Sequence, residues 1–387
     1  MASRLGGANG RCRGGCSGQS VRLSGFGGAK WLRYDFHAEA ACHPEIFVTR
    51  KIIMMKAIEI TQTGGPEVMH MRDLAIPAPQ QGEVLIQIAA SGINFVDLFI
   101  REGRYGNQTP FTPGQEAAGI VVAVGPGVSD FKPGDRVAWC SVLGTYAEYA
   151  VAAAERVVPI PDDLTFEQAA AALLQGMTAH YLSRSAYIIQ PGDEVLIHAA
   201  AGGTGLLLTQ MAKACGARVL TTVSSKMKAA LSREAGADEV ILYTEFDFAV
   251  EVKHLTENRG LAAVYDSVGK ATFEQSLGCL KPRGTLVLYG SASGEVPAFD
   301  LIRLATLGSL YVTRPILKHY TLSRKDLVQR AMSVFDAIAS GTLKLRIEHV
   351  YPLNEAAQAH RDLEARSTTG KLLIAFDHVH QRISMNC

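Results

Sequence analysis

The chain predicts an α/β protein in which a doubly wound parallel sheet is joined to a second, β-rich domain, and three stretches carry that prediction. Val195-Leu-Ile-His-Ala-Ala-Ala-Gly-Gly-Thr-Gly205, then a periodic apolar run to Gly216, then Arg218-Val-Leu-Thr-Thr-Val223 reads as strand, glycine-rich turn, helix and next strand. One helix length between two buried strands is what a right-handed βαβ crossover needs. Residues from about 190 to 313 keep this alternation, with later buried strands at Ala263-Val-Tyr-Asp-Ser-Val268 and Thr285-Leu-Val-Leu-Tyr-Gly290. Residues 55 to about 158 instead alternate short apolar runs with Gly/Pro turns, which predicts a small, partly open barrel.

Each element follows in order. Residues 1–54 are dominated by Gly, Arg and Ser, have no acid before Asp35, and show no periodicity until Met55-Lys-Ala-Ile-Glu-Ile60. Three readings compete for this segment: a non-native, upstream-started extension, an Arg-rich and acid-poor transit peptide, or a disordered tail. The first is favoured because Met54-Met55 stands directly before the first convincing strand. Further strands are expected at Glu83-Val-Leu-Ile-Gln-Ile-Ala89, at 118–125, at Lys132-Pro-Gly-Asp-Arg-Val-Ala138 and at Thr145-Tyr-Ala-Glu-Tyr-Ala-Val151. Thr165-x2-Gln168 is a capping box that opens a helix. After Pro315 come an amphipathic helix over 324–340 and a last strand, Lys371-Leu-Leu-Ile-Ala-Phe376, patterned like those of the first half. That return makes the first domain discontinuous: 55–180 completed by 316–376, with 181–315 between them and a loose tail over 377–387.

A chain of 387 residues exceeds one compact core, so two domains are expected. The formal net charge of +1 and the lack of a dense basic run leave no electrostatic footprint for nucleic acid or an anionic membrane. The most apolar helix candidate, over 169–180, is interrupted by Gln175, Gly176 and His180 well short of a membrane span. Seven dispersed cysteines repeat no zinc-ribbon spacing and suit free thiols in a reducing compartment, hence the cytoplasm, or an organelle if the first segment is a transit peptide.

The glycine-rich turn carries the first functional signal. Such a turn aims backbone N–H groups and a helix N-terminus at a pyrophosphate, although here Ala200 stands where the first glycine of G-x-G-x-x-G belongs and only Gly202 and Gly205 hold the other two places. The end of the following strand says which dinucleotide. NAD sites usually place a carboxylate there for the ribose hydroxyls; this chain reads Val223-Ser-Ser-Lys-Met-Lys228, hydroxyls and cations without an acid, which favours the 2′-phosphate of NADPH. Ser224 or Ser225 also suits the N-cap of the next helix, and both readings hold together.

These motifs belong to a larger pattern. Gly64-Gly-Pro-Glu-Val68, Gly92-Ile-Asn-Phe-Val-Asp97, Pro113-Gly-Gln-Glu-Ala-Ala-Gly119, Gly134-Asp-Arg-Val137, the 198–205 turn, Val264-Tyr-Asp-Ser-Val-Gly269, Gly308-Ser-Leu-Tyr-Val-Thr-Arg-Pro315 and Thr369-Gly-Lys371 together resemble the zinc-independent NADPH:quinone oxidoreductases, the zeta-crystallin-like branch of the medium-chain dehydrogenase/reductase superfamily. The resemblance covers roughly residues 55–376. It implies a Rossmann NADPH-binding domain, a GroES-like catalytic domain and a homodimer. Zinc-dependent members carry a cysteine, a Gly-His-Glu pair and a four-cysteine lobe; this chain has Asn94 or Asp97, Gln115, and only Cys140 after Arg136. One thiol and a carboxamide cannot build a tetrahedral zinc site, so no metal is expected and Glu116 is read as a structural hydrogen-bonding residue.

The resemblance also implies roles. Asn94 lies beside nicotinamide and acceptor, where its amide donates to a developing oxyanion; the alternative is a turn residue after Gly92. Phe99 replaces a tyrosine usual in close relatives, and Tyr105 is a second aromatic at the cleft, which leaves the proton source open. Gly202, Gly203 and Thr204 form the pyrophosphate turn. Ser224, Ser225, Lys228, Tyr243 and Arg366 hold the 2′-phosphate and adenine, with Lys226 as an auxiliary contact. Val268, Tyr289, Gly290 and Ser291 face the nicotinamide ribose, and Gln175, Thr178 and Tyr181 line the cleft from the linking helix, with Gln175 where a lysine is more usual. The implied activity is hydride transfer from NADPH to a quinone. Reduction of an enone, alkenal or enoyl thioester C=C bond is the alternative, and a crystallin-like or nucleic-acid-binding protein the non-enzymatic one.

Overall fold

A computed structural model describes residues 53–376; the expectations for 1–52 and 377–387 lie outside the described residues. The first half contains β1 (Met54–Ile60), β2 (Met69–Ala75), β3 (Glu83–Ile93), α1 (Phe95–Arg101), β4 (Glu116–Val124), β5 (Arg136–Cys140), β6 (Tyr149–Ala153) and β7 (Val157–Pro159). The linking helix α2 (Phe166–Tyr181) starts as expected: Thr165 Oγ1 accepts from Gln168 N at 3.1 Å, and Gln168 Oε1 accepts from Thr165 N at 2.9 Å. Next come β8 (Glu194–His198), α3 (Gly203–Ala214), β9 (Arg218–Val223), α4 (Lys226–Glu234), β10 (Glu239–Leu242), α5 (Phe248–Leu255), β11 (Leu261–Asp266), α6 (Phe273–Leu277), β12 (Leu280–Leu288), α7 (Ile302–Thr306) and β13 (Tyr311–Thr313). The chain closes with α8 (Leu317–Tyr320), α9 (Arg324–Ala339), β14 (Ile347–Pro352), α10 (Ala356–Glu364) and β15 (Lys371–Ala375).

Six strands form a wholly parallel sheet in the order β10-β9-β8-β11-β12-β13. This is the doubly wound order, with the reversal between β8 and β11 where ligand crevices open. Both faces are covered: Val195 and Ile197 pack into one apolar cluster with α2 and α9, whereas Leu196, Leu220 and Val264 pack into another with α5 and α6. That is why these strands read as unbroken apolar runs.

The second sheet runs β14-β15-β3-β4-β5-β7, with β6 also on β3. The length of β3 makes this possible. Its Glu83–Gln87 end pairs with β6 and its Ala90–Ile93 end with β15, both on the edge opposite β4. Two strand starts differ from the sequence reading, and one strand is absent from it. Residues 132–135 are a turn, because Asp135 accepts from Lys132 N at 2.9 Å and Pro133 has no N–H to give a ladder. Tyr146 and Ala147 are spent on β1, through Ile58 N to Tyr146 O at 2.9 Å and the Ala57–Ala147 bridge, so β6 starts only at Tyr149. The three-residue β7 is too short to show a period.

Candidate active site

A single cavity of about 1070 Å³ runs from the glycine-rich turn, past the ends of β8, β9, β11 and β12, to α1 and the loop after it. It gathers the predicted residues from both halves of the chain: Asn94, Phe99, Tyr105, Gln175, Thr178, Tyr181, Gly202, Gly203, Thr204, Ser224, Lys228, Tyr243, Val268, Tyr289, Gly290, Ser291 and Arg366 all line it. Two expectations need correction. Ser225 does not line the cavity; its Oγ accepts from Lys228 N at 3.3 Å and caps α4. A cap must face its own helix, so of the two serines only Ser224 is left to face a ligand. Lys226 also lies off this cavity.

The cofactor half fits a phosphorylated dinucleotide. The turn ends in α3, and a Cβ on Gly205 would stand 2.5 Å from Ala199 O, so only glycine lets the helix approach the strand this closely. At the far end Lys228 Nζ donates to Arg366 O at 2.7 Å, which sets an ammonium beside a guanidinium. Burial and then Arg366 hold the Lys228 ammonium below the usual lysine range. Two cations to which no carboxylate among the described residues is bonded are a prepared anion site. Between these ends, Gln175 Oε1 is buried without a hydrogen-bond partner, a free acceptor on the cavity wall.

On the catalytic side the structure revises Asn94. It precedes α1, where Asp97 Oδ2 accepts from Asn94 N at 2.8 Å, and it is buried. Its Nδ2 donates to Glu116 Oε2 at 2.8 Å and to Gly92 O at 3.4 Å, and its Oδ1 accepts from Lys371 Nζ at 2.7 Å and Gln175 Nε2 at 3.3 Å. Both amide hydrogens are thus committed, and the expected donation to an oxyanion is not available in this arrangement. The neighbouring ion pair explains why: Lys371 Nζ stands 2.5 Å from Glu116 Oε2, both side chains are almost wholly buried, and Glu116 Oε1 accepts from Leu174 N at 2.6 Å. Glu116 therefore joins β4, β15, α1 and α2. Lys371, quoted above within a motif but given no role, is the residue that sequence reasoning missed. Its signal was a lysine opening an otherwise apolar strand.

A second buried chain supports α1. Arg101, 1% exposed, donates to Gly64 O at 3.0 Å and pairs with Glu364. It also reaches His360 Nδ1 at 3.1 Å; guanidinium has no lone pair, so Nδ1 accepts and the proton sits on Nε2. His360 Nε2 then donates to Tyr146 Oη at 3.1 Å, whose hydroxyl donates to Asp97 Oδ2 at 3.3 Å. Burial first, then Arg101, holds His360 down to about 3. Burial raises the Asp97 carboxyl to about 7 despite Asn94 N and Lys371, and Asp97 Oδ1 has no partner. Burial pushes the Cys140 thiol up to about 12, so it is not a nucleophile at neutral pH. Among the described residues no three His, Cys, Asp or Glu side chains gather as a metal site, and no helix is long and apolar enough to cross a membrane.

Known proteins agree with this geometry. The family described as alcohol dehydrogenase GroES-like domain matches residues 80–162, and the one described as zinc-binding dehydrogenase matches residues 203–334. The chain is 45% identical over 323 residues to a quinone oxidoreductase of Pseudomonas aeruginosa, a match covering 83% of this chain and 99% of the relative. It belongs to the zeta-crystallin-like quinone oxidoreductases of the medium-chain dehydrogenase/reductase superfamily. The solved Escherichia coli quinone oxidoreductase complexed with NADPH matches this quinone oxidoreductase homologue at 42% identity and a TM-score of 0.81, over 83% of the present chain and 100% of the other. A 2-haloacrylate reductase of Burkholderia is 38% identical over 329 residues, covering 83% of this family member and 99% of that enzyme.

Proposed function

We propose that the chain is an NADPH-dependent quinone reductase that works without a metal. The observation that carries this reading is the continuity of one cavity, from the Lys228–Arg366 anion site across the glycine turn to the aromatic wall of Phe95, Phe99 and Tyr105. The names of the relatives support both cofactor and acceptor. Bound NADPH supplies the hydride. The chain's own residues grip the 2′-phosphate with Ser224, Lys228, Tyr243 and Arg366, orient the nicotinamide ribose with Val268, Tyr289, Gly290 and Ser291, and offer Gln175 Oε1 as an acceptor. Asn94 acts as a positioning residue, because its amide is held by Glu116 and Lys371. Phe95 and Phe99 meet edge to face at 5.9 Å and Arg104 covers Phe99 at 4.4 Å, which gives a planar acceptor a firm apolar wall. Orientation and modest charge stabilisation suffice for a quinone, whose reduced oxygen takes its proton from water.

The absence of a metal is supported by the donor set: Asn94 is committed, Gln115 is a carboxamide, and the one nearby thiol, Cys140, is held protonated by burial. The domain assignment of 55–180 with 316–376, against 181–315, is supported by β14 and β15 joining β3. A homodimer is supported by the edge position of β13 in its sheet, where Tyr311 and Val312 stand exposed. A cytoplasmic location is supported by the dispersed free thiols. Reduction of activated C=C bonds is the second reading, favoured by the haloacrylate-reductase relative and by Arg314 and Lys318 on the cavity wall, where they suit an anionic acceptor. NADPH oxidation with 1,2- and 1,4-quinones, enones and crotonyl thioesters separates the two. Turnover confined to enones or thioesters would replace the quinone assignment.

A further inference from the structure

With Asn94 committed and a phenylalanine at position 99, the acceptor's oxygen needs other donors, and two neighbouring side chains on the cavity wall can supply them. Gln115 lines the cavity directly before β4, and its carboxamide makes no hydrogen bond among the described residues. Ser141 lines it directly after β5, and its Oγ has only a weak contact, 3.9 Å to Cys140 Sγ. The antiparallel ladder of β4 and β5 ends at the pair Glu116–Cys140, so Gln115 and Ser141 are the residues that follow directly on its last rung. Their backbone is fixed from behind. Gly144 N donates to Gly114 O at 2.9 Å, Tyr146 N donates to Pro113 O at 3.0 Å, and a Cβ on Gly114 would fall 2.3 Å from the Tyr146 ring. Gln115 is half-buried, whereas Ser141 is exposed at the cavity rim, as is Tyr105 on the loop after α1.

We propose that Gln115 and Ser141 form a paired donor site that binds a carbonyl oxygen of the acceptor and stabilises the charge that develops on it. A carboxamide N–H and a hydroxyl side by side match the two lone pairs of one carbonyl, and placed before the reaction they cost no reorganisation as the oxygen becomes anionic. The pair specifies acceptors whose reducible system ends in a carbonyl over apolar alkenes or nitro-free aromatics of the same shape. This inference rests on the quinone-reductase reading.

The test uses the full chain with Gln115→Leu, Ser141→Gly and the double variant, glycine being chosen because Ser141 has φ 63°. Two readouts are taken: KM and kcat for a 1,4-naphthoquinone with NADPH, and the Kd of that quinone for the cofactor-free protein from quenching of intrinsic fluorescence. Each single variant should raise Kd and lower kcat/KM about tenfold, the worth of one hydrogen bond to a polarised oxygen, while NADPH affinity and melting temperature stay as in the parent. Unchanged quinone Kd and kcat/KM in the double variant would overturn the pair. If the parent turns over no quinone at all, the reductase reading fails instead, and the binding titration still decides whether the pair holds a carbonyl. Gln115→Asn with Ser141→Ala repeats the test with smaller perturbations if the first set unfolds.

Discussion

Replacing Lys371 with methionine tests the arrangement around Asn94 most severely. Methionine keeps most of the apolar stem and removes only the ammonium. Glu116, with no exposed side-chain surface, would lose its 2.5 Å partner and retain two neutral donors, Leu174 N at 2.6 Å and Asn94 Nδ2 at 2.8 Å. Breaking a buried pair by removing one member costs about 3–5 kcal/mol, because the remaining charge is left uncompensated. In a chain of this size that lowers the melting temperature by roughly 6–10 °C. Thermal and urea unfolding give the stability, and Lys371→Met combined with Glu116→Gln completes the cycle. The double variant should regain about 2 kcal/mol or more relative to additive losses, since neither charge is then stranded. Because Asn94 Oδ1 also loses its 2.7 Å donor, kcat should fall further than NADPH affinity. A shift below about 2 °C, the scale of an exposed ion pair, would refute the reasoning.

Other outcomes follow from the same geometry. Lys228→Glu places a carboxylate in the anion site and should weaken NADPH by about 2 kcal/mol, roughly 30-fold, with little change for NADH; equal losses would remove Lys228 from the 2′-phosphate. Ser225→Ala should cost about 1 kcal/mol of stability through the lost cap and leave NADPH affinity within twofold, as measured by melting and by cofactor titration. Asp97 predicts a pH dependence. Its folded value of about 7 lies above the ordinary carboxyl value of 3.8, so the folded protein holds the extra proton between the two. That contribution to stability is complete below about pH 4 and is lost as pH rises through 7. The melting temperature of Asp97→Asn should accordingly vary less between pH 5 and 8 than that of the parent, and parallel profiles would count against a buried protonated carboxyl.

Local features were the legible part. The 198–205 turn, its helix and the Thr165 cap are set by residues a few positions apart, so period and capping chemistry expose them directly. The Glu116–Lys371 pair spans 255 positions and exists only because β3 is long enough to hold β15 beside β6. Position 94 could be marked from the motif around it, but not the fate of its amide hydrogens, which depends on that distant lysine. Ser224 and Ser225 look equivalent in sequence; the direction of α4 separates them. Gln115 and Ser141 both flank the last rung of the β4–β5 ladder, and neither strand announces that pairing in its sequence.

The most direct test of the central claim is quinone-dependent NADPH oxidation by protein dialysed against a chelator, with its metal content measured on the same sample. The account predicts turnover that survives dialysis at substoichiometric zinc and that favours NADPH over NADH. Turnover abolished by the chelator and restored by zinc would contradict it, as would an equal rate with NADH.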